Sequence, residues 1–271
     1  MRISVIQMNS ADDKAANLDQ ATRLVREAVK EDRPDLVVLP EVWTHLGGTA
    51  EAKRAAAEVL PDGEAYRQLQ DLARSHGVLL HGGSFLERDP ASDKLYNTTV
   101  AFGRDGAELA RYRKIHLFDI TAPDGREYRE SATFGRGQEL VMYEADGVKV
   151  GCTICYDLRF GELYRGLAQM GAQVIMAPAA FTLQTGKDHW EVLLRARAIE
   201  TQTYVAASAQ WGPHPAGNDV RYTWGHSMIV DPWGHVIAQA QDSTGFTTAR
   251  IDMAYLAKVR ANVPVHQHRV L

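Results

Sequence analysis

Cysteine is scarce in this chain: two among 271 residues, Cys152 and Cys155. That excludes a disulfide framework and the small secreted scaffolds that depend on one. Basic residues are not in excess, since 30 Lys+Arg stand against 34 Asp+Glu for a formal net charge of −4. The balance weighs against a general nucleic-acid binder. No apolar run approaches the roughly 18 residues of a membrane-spanning helix. The opening stretch, residues 1–8, turns polar at Asn9 and Ser10 and is too short for a secretory leader, so a cytoplasmic protein is expected. The histidines are scattered without H-E-x-x-H spacing, no G-x-G-x-x-G follows a strand, and no Walker motif occurs. Neither a metal nor a cofactor is expected. What remains is 45% hydrophobic and 24% charged, an ordinary globular composition able to bury a core unaided.

Periodicity predicts strands and helices in alternation. A buried strand over 2–8 precedes a helix over about 13–31, with Leu18, Ala21, Leu24, Val25 and Ala28 on one face. Strand 35–40 closes at Pro40, a helical pair spans 49–75 with Gly77 as its stop, and 78–85 reads as one apolar run. Hairpins are expected for 97–102 with 107–112, and for 140–144 with 148–154 across Asp146-Gly147. Helix 160–170, strand 174–177, helix 187–202 and strand 204–209 follow, then strands near 225–230, 236–239 and 246–251 and a helix over 254–261. Helix 187–202 is apolar around several faces, as in a helix buried on more than one side. With no linker or composition shift, one α/β domain of mixed sheet, or two sheets face to face with helices outside, is expected.

Cys152-Thr153-Ile154-Cys155 matches C-x-x-C, so a thiol redox protein is one reading. On a strand over 148–154, however, residues three apart point to opposite faces and the thiols do not meet. Cys152 then reads as small buried packing. Cys155 ends the strand before a helix, at a sheet edge where N–H groups and a helix dipole favour thiolate. An inert cysteine is the commoner case, so a partner base matters. Glu41 follows a buried strand and a proline, and desolvation moves a buried carboxylate toward general-base range. Lys114 ends another strand. Its plainer reading is a solvated basic edge, because Arg111 and Arg113 alternate with Tyr112.

Leu39-Pro40-Glu41, Tyr112-Arg113-Lys114-Ile115-His116-Leu117 and Ile154-Cys155-Tyr156-Asp157-Leu158-Arg159-Phe160 resemble the three signature blocks of the nitrilase (carbon–nitrogen hydrolase) superfamily. Stretches 186–191 and 225–234 also resemble that family, so the likeness spans nearly the whole chain. It implies an α/β fold, a four-layer αββα sandwich of two mixed β-sheets, in a single domain over 1–271. It also implies a homodimer or higher homo-oligomer formed through the helix after Cys155 and the tail 262–271. The implied site is a Glu41–Lys114–Cys155 triad: Cys155 attacks an amide carbonyl, Glu41 moves the proton, and Lys114 with the Tyr156 N–H stabilises the oxyanion. Glu130 falls where many members carry a glutamate that orients the lysine; its bland alternative is a loop carboxylate within 126–130.

The stretch 181–202 and the terminal 264–269 look most like the amidases of the deaminated-glutathione amidase and omega-amidase branch. The resemblance implies a small-molecule amide of a 2-oxo acid as substrate, with Arg159 and Thr185 at its carboxylate. Bidentate arginine–carboxylate pairing is the physical reason. A structural ion pair of Arg159 with Asp157 or Glu162 is the alternative. N-carbamoyl or aliphatic amides stay open as substrates.

Overall fold

The computed structural model describes residues 1–122, 125, 127–216 and 219–270, so Arg126 and Leu271 of the stretches above lie outside it. A seven-stranded sheet runs in the order Gly245–Arg250, Arg2–Gln7, Leu36–Val38, Leu79–His81, Leu95–Phe102, Phe85–Arg88, with Glu108–Arg113 also paired to Leu95–Phe102. A six-stranded sheet runs Val236–Gln239, Met228–Val230, Tyr204–Ala207, Val174–Met176, Val148–Cys152, Met142–Ala145. Parallel pairs fill the middle of each sheet and antiparallel pairs the flanks. The helices are α1 (Lys14–Asp32), α2 (Ala50–Ala56), α3 (Glu64–His76), α4 (Gly161–Gln169), α5 (Leu183–Thr201), α6 (Met253–Asn262) and the short α7 (Val265–His268).

Strand alternation builds the layers. Ile3, Val5, Leu36 and Val38 of the first sheet share one apolar core with Val150, Cys152, Val174 and Met176 of the second. The alternate residues Ile6 and Val37 turn the other way, onto Leu24 and Val25 of α1 and Leu69 of α3. Asp13 caps α1 by accepting from the Ala16 N–H, and Gly77 ends α3 at φ 59, a left-handed turn that glycine adopts freely.

Several expectations are corrected. Helix α5 starts at Leu183 and buries one side only. Trp190, Leu194 and Ala198, four apart, face the core, while Val192 and Ile199 stand 66% and 51% exposed. The run 78–85 breaks at Gly82-Gly83, because a Cβ on Gly83 would collide with the Leu39 and Pro40 carbonyl oxygens. Two hairpins were not expected: Asp119–Thr121 with Glu127–Arg129, and Trp211–Ala216 with Asp219–Trp224. Among the described residues no helix is long and apolar enough to cross a membrane.

Two interior histidines make the fold acid-sensitive. Burial pushes His81 down to about 3, beside the Tyr143 hydroxyl at 3.2 Å. Burial also takes His214 to about 4, with the Ser10 carbonyl opposing and Arg221 adding. The unfolded chain takes up these protons near pH 6.5, whereas the folded chain resists until its lower value. Stability is therefore full above pH 6.5 and falls as pH drops toward 4. Each histidine contributes up to ~1.4 kcal/mol per pH unit. Urea unfolding between pH 7 and 5 should show this slope, and His81→Gln should flatten it; a pH-independent midpoint would refute the account.

Candidate active site

The chain beyond Val38 passes through Leu39 and Pro40 to Glu41, and Val42 then adopts φ 43, a costly angle for a β-branched residue. The turn is held from both sides. Val42 N–H donates to Ser84 Oγ at 3.0 Å, and the Glu41 carbonyl accepts from Gln210 Nε2 at 3.0 Å. Lys114 follows Glu108–Arg113 as expected; its N–H donates to the Asn97 carbonyl at 2.9 Å and its carbonyl accepts from Gly137 N–H at 2.7 Å.

Cys155 is placed differently from the expectation. The strand ends at Cys152, and Thr153-Ile154 lead into a 3₁₀ turn, Cys155–Arg159, whose first residue has φ 46. Its N–H donates to the Pro178 carbonyl at 2.8 Å. The turn of the chain, not alternation along one strand, sets it apart from Cys152. Both cysteines are free and buried.

The side chains named from sequence meet here. Lys114 Nζ lies 2.9 Å from Glu41 Oε1, and 3.1 and 2.9 Å from the two oxygens of Glu130. Glu130 also accepts the Phe118 N–H at 2.6 Å, so it is a fixed member of the cluster and not a plain loop carboxylate. Lys114 is 2% exposed. Burial alone would lower its pKa, but the carboxylates of Glu130 and Glu41 outweigh that and hold it well above its ordinary value, so it stays protonated. The Cys155 thiol is pushed well up, first by burial and then by the Glu41 carboxylate, against the pull of Lys114 and the Ala180 N–H. Desolvation and a facing carboxylate outweigh Lys114 and the Ala180 N–H, a balance opposite to the expected bias toward thiolate.

Glu41, Lys114, Glu130 and Cys155 open onto one cavity of about 280 Å³, lined also by Tyr156, Arg159 and Thr185. Arg159 lies 5.2 Å from the Phe181 ring centre and makes no ion pair among the described residues, so the alternative pairing with Asp157 or Glu162 is not seen. Thr185, in the first turn of α5, shares a hydroxyl contact with Thr182 at 2.8 Å. Two further residues matter that the sequence did not single out for the site. Asn97 Nδ2 donates to Glu41 Oε1 at 2.9 Å. Asp157, wholly buried, accepts from Tyr112 Oη (2.7 Å), the His116 N–H (3.0 Å) and the Ile154 N–H (2.9 Å). It therefore ties both flanks of Lys114 to the turn that carries Cys155. Asp157, two residues after Cys155, was visible in sequence but weighed only as a partner for Arg159; an asparagine inside a strand gave no signal.

Known proteins resemble this chain over nearly its whole length. The deaminated glutathione amidase of Synechocystis sp. is 43% identical over 270 residues, covering 98% of this chain and 97% of that protein. Omega-amidase NIT2 of Danio rerio is 41% identical over 270 residues, covering 99% and 94%. The crystal structure of the C. elegans NitFhit protein superposes with a TM-score of 0.91 at 37% identity; the match covers 99% of this chain but 64% of that one. With a family model matched across residues 2–261, the chain belongs to the carbon-nitrogen hydrolase family.

Proposed function

We propose that this enzyme hydrolyses a linear amide of a 2-oxo acid, such as deaminated glutathione or 2-oxoglutaramate, through a thioester on Cys155. Glu41 takes the thiol proton as sulfur attacks, passes it to the departing nitrogen, and then activates the water that cleaves the thioester. Lys114 and the Tyr156 N–H stabilise the oxyanion, and Glu130 and Asn97 hold Lys114 and Glu41 in place. Arg159, with Thr185 and the N-terminal turn of α5, binds the carboxylate of the oxo-acid end. The observation that carries this reading is Lys114 held between Glu41 and Glu130 in the cavity that Cys155 lines. The names of the 41–43% identical relatives support the substrate class. The redox reading is disfavoured because burial pushes Cys152 up to about 12, leaving little thiolate for exchange.

We read 1–271 as one domain and assign it to the cytoplasm as a homo-oligomer. Exposed Met170 at the end of α4 and exposed Val192 and Ile199 on α5 support an interface on these helices, to which we also assign the tail 262–271. A monomer mass in sedimentation would refute that assembly. A release assay with deaminated glutathione, 2-oxoglutaramate and N-carbamoyl amino acids tests the activity. Turnover of the first two with the acid and amine or ammonia as products is expected; exclusive turnover of the carbamoyl compounds, with CO₂, would overturn it.

A further inference from the structure

Lys114 and Cys155 belong to different sheets. Lys114 follows Glu108–Arg113 of the first, and Cys155 follows Val148–Cys152 of the second. Apolar packing joins the two sheets but is non-directional, so it does not by itself fix a distance between them to a fraction of an ångström. Asp157 supplies what packing lacks. Its Oδ1 accepts from the His116 N–H at 3.0 Å and faces His116 Nδ1 at 2.8 Å; its Oδ2 accepts from Tyr112 Oη at 2.7 Å and from the Ile154 N–H at 2.9 Å. Tyr112 and His116 flank Lys114, two residues to either side, and Ile154 immediately precedes Cys155. Along this stretch the N–H groups point to alternate sides. Those of Thr153 and Cys155 donate to the Met176 and Pro178 carbonyls at 3.2 and 2.8 Å, and that of Cys152 donates the other way, to the Val141 carbonyl at 3.0 Å. The Ile154 N–H points the same way as that of Cys152, and there the Asp157 carboxylate takes it where the edge strand no longer does. The Tyr112 phenol stays a donor, because burial first and then the Asp157 charge hold its pKa well above the ordinary value. A second brace accompanies the first: the His116 ring stacks on Phe160, just past the same turn, with ring centres 3.6 Å apart.

We propose that Asp157 is a positioning residue that sets the separation of Lys114 and Cys155 across the two sheets, and so governs kcat with little effect on KM. The inference rests on the amidase reading above, in which Lys114 meets the oxyanion that forms as Cys155 attacks. Asp157 is wholly buried and is not among the described residues that line the cavity, so it does not reach substrate. It acts on alignment instead, where a displacement of about 1 Å costs about 10²-fold in rate. An asparagine at this place keeps the shape but offers one acceptor oxygen and an NH₂ group. Turned one way, the NH₂ opposes the His116 N–H; turned the other, it opposes the Ile154 N–H. In either case one backbone donor, on the lysine side or on the cysteine side, loses its acceptor. Leaving a buried donor unpaired is costly, so the two segments shift apart to relieve it.

The test sets steady-state turnover of deaminated glutathione or 2-oxoglutaramate, whichever is faster, against the rate at which iodoacetamide alkylates Cys155. Alkylation requires a reachable sulfur but forms no oxyanion, and Cys152, pushed up to about 12 by burial, contributes little to it. Asp157→Asn should lower kcat by about 10²-fold, while KM and the alkylation rate stay within about threefold of the parent. Tyr112→Phe removes one contact and keeps the carboxylate. It should lower kcat by about 3–10-fold, the scale of one neutral hydrogen bond, again with KM and alkylation little changed. A parent-like kcat in folded Asp157→Asn overturns the proposal. So does a fall in kcat matched by an equal fall in alkylation, the sign of a collapsed site, or a rise in KM at unchanged kcat, the sign of a binding role. If Asp157→Asn yields no folded protein, Tyr112→Phe decides alone: kcat lost with alkylation kept supports the positioning role, and parent-like kcat overturns it. A parent that turns over neither amide defeats the amidase reading and this proposal with it, whereas failure in the variants alone leaves that reading standing.

Discussion

Replacing Cys155 with alanine should lower amide turnover by about 10⁴–10⁶-fold, the scale seen when a covalent nucleophile is removed. The protein should remain folded and melt close to the parent. Cys155 forms part of the cavity wall and is 8% exposed, so the lost sulfur opens onto existing space. The Lys114–Glu41 and Lys114–Glu130 pairs do not involve it. Cys152→Ala should behave in the opposite way. Its side chain is fully buried between the two sheets, so truncation costs about 0.5–3 kcal/mol, yet the reacting groups stay in place. Substrate turnover and chemical denaturation measured on both variants separate the cases. A redox couple would require both cysteines for activity; an amidase with one working thiol requires Cys155 alone. Turnover by Cys155→Ala at even a tenth of the parent rate would refute the thioester mechanism.

That Glu41, Lys114 and Cys155 come together was legible mainly through the family resemblance, because each follows closely after a strand and Lys114 taken alone reads as a solvated edge. Leu36, Val37 and Val38 read as a buried strand, and Pro40 marks its end, which carries Glu41 to the sheet edge. The same logic failed for the hairpin Trp211–Ala216 with Asp219–Trp224. Pro213 and Pro215 argue against a strand, since proline cannot donate to a ladder, but the segment pairs in a two-stranded ribbon outside the two main sheets. With that hairpin went Arg221, which lines the cavity. Strand Val148–Cys152 was extended too far because Thr153 and Ile154 have high strand propensity; the left-handed backbone at Cys155 leaves no trace in composition. Positive φ at Val42 and at Cys155 is local strain sustained by surrounding contacts, and single-residue preference is blind to it.

Lys114→Met should combine a loss of rate with a loss of stability, and the two effects should part company in a double variant. The lysine ammonium stands between Glu41 and Glu130, at 2.9 Å from each. Removing it leaves two carboxylates in a desolvated cluster, where breaking a buried pair costs about 3–5 kcal/mol. One carboxylate is then driven to take up a proton that the unfolded chain releases at neutral pH. The folded variant thus binds more protons than its unfolded form, and its deficit should shrink as pH falls toward the carboxylate range. The rate should fall by at least about 10²–10³-fold, the usual cost of one oxyanion donor, and further because Glu41 loses the cation that fixes its position. Adding Glu130→Gln removes the surplus charge while keeping the Phe118 N–H contact possible at the amide oxygen. Stability should return by a large part of the deficit, whereas turnover should not. Urea titrations at pH 7.5 and 5.5 and a single-substrate rate assay read all of these quantities. Full activity in Lys114→Met would remove the lysine from the mechanism; a stability deficit indifferent to both pH and Glu130→Gln would show that the charge cluster is not what the lysine supports.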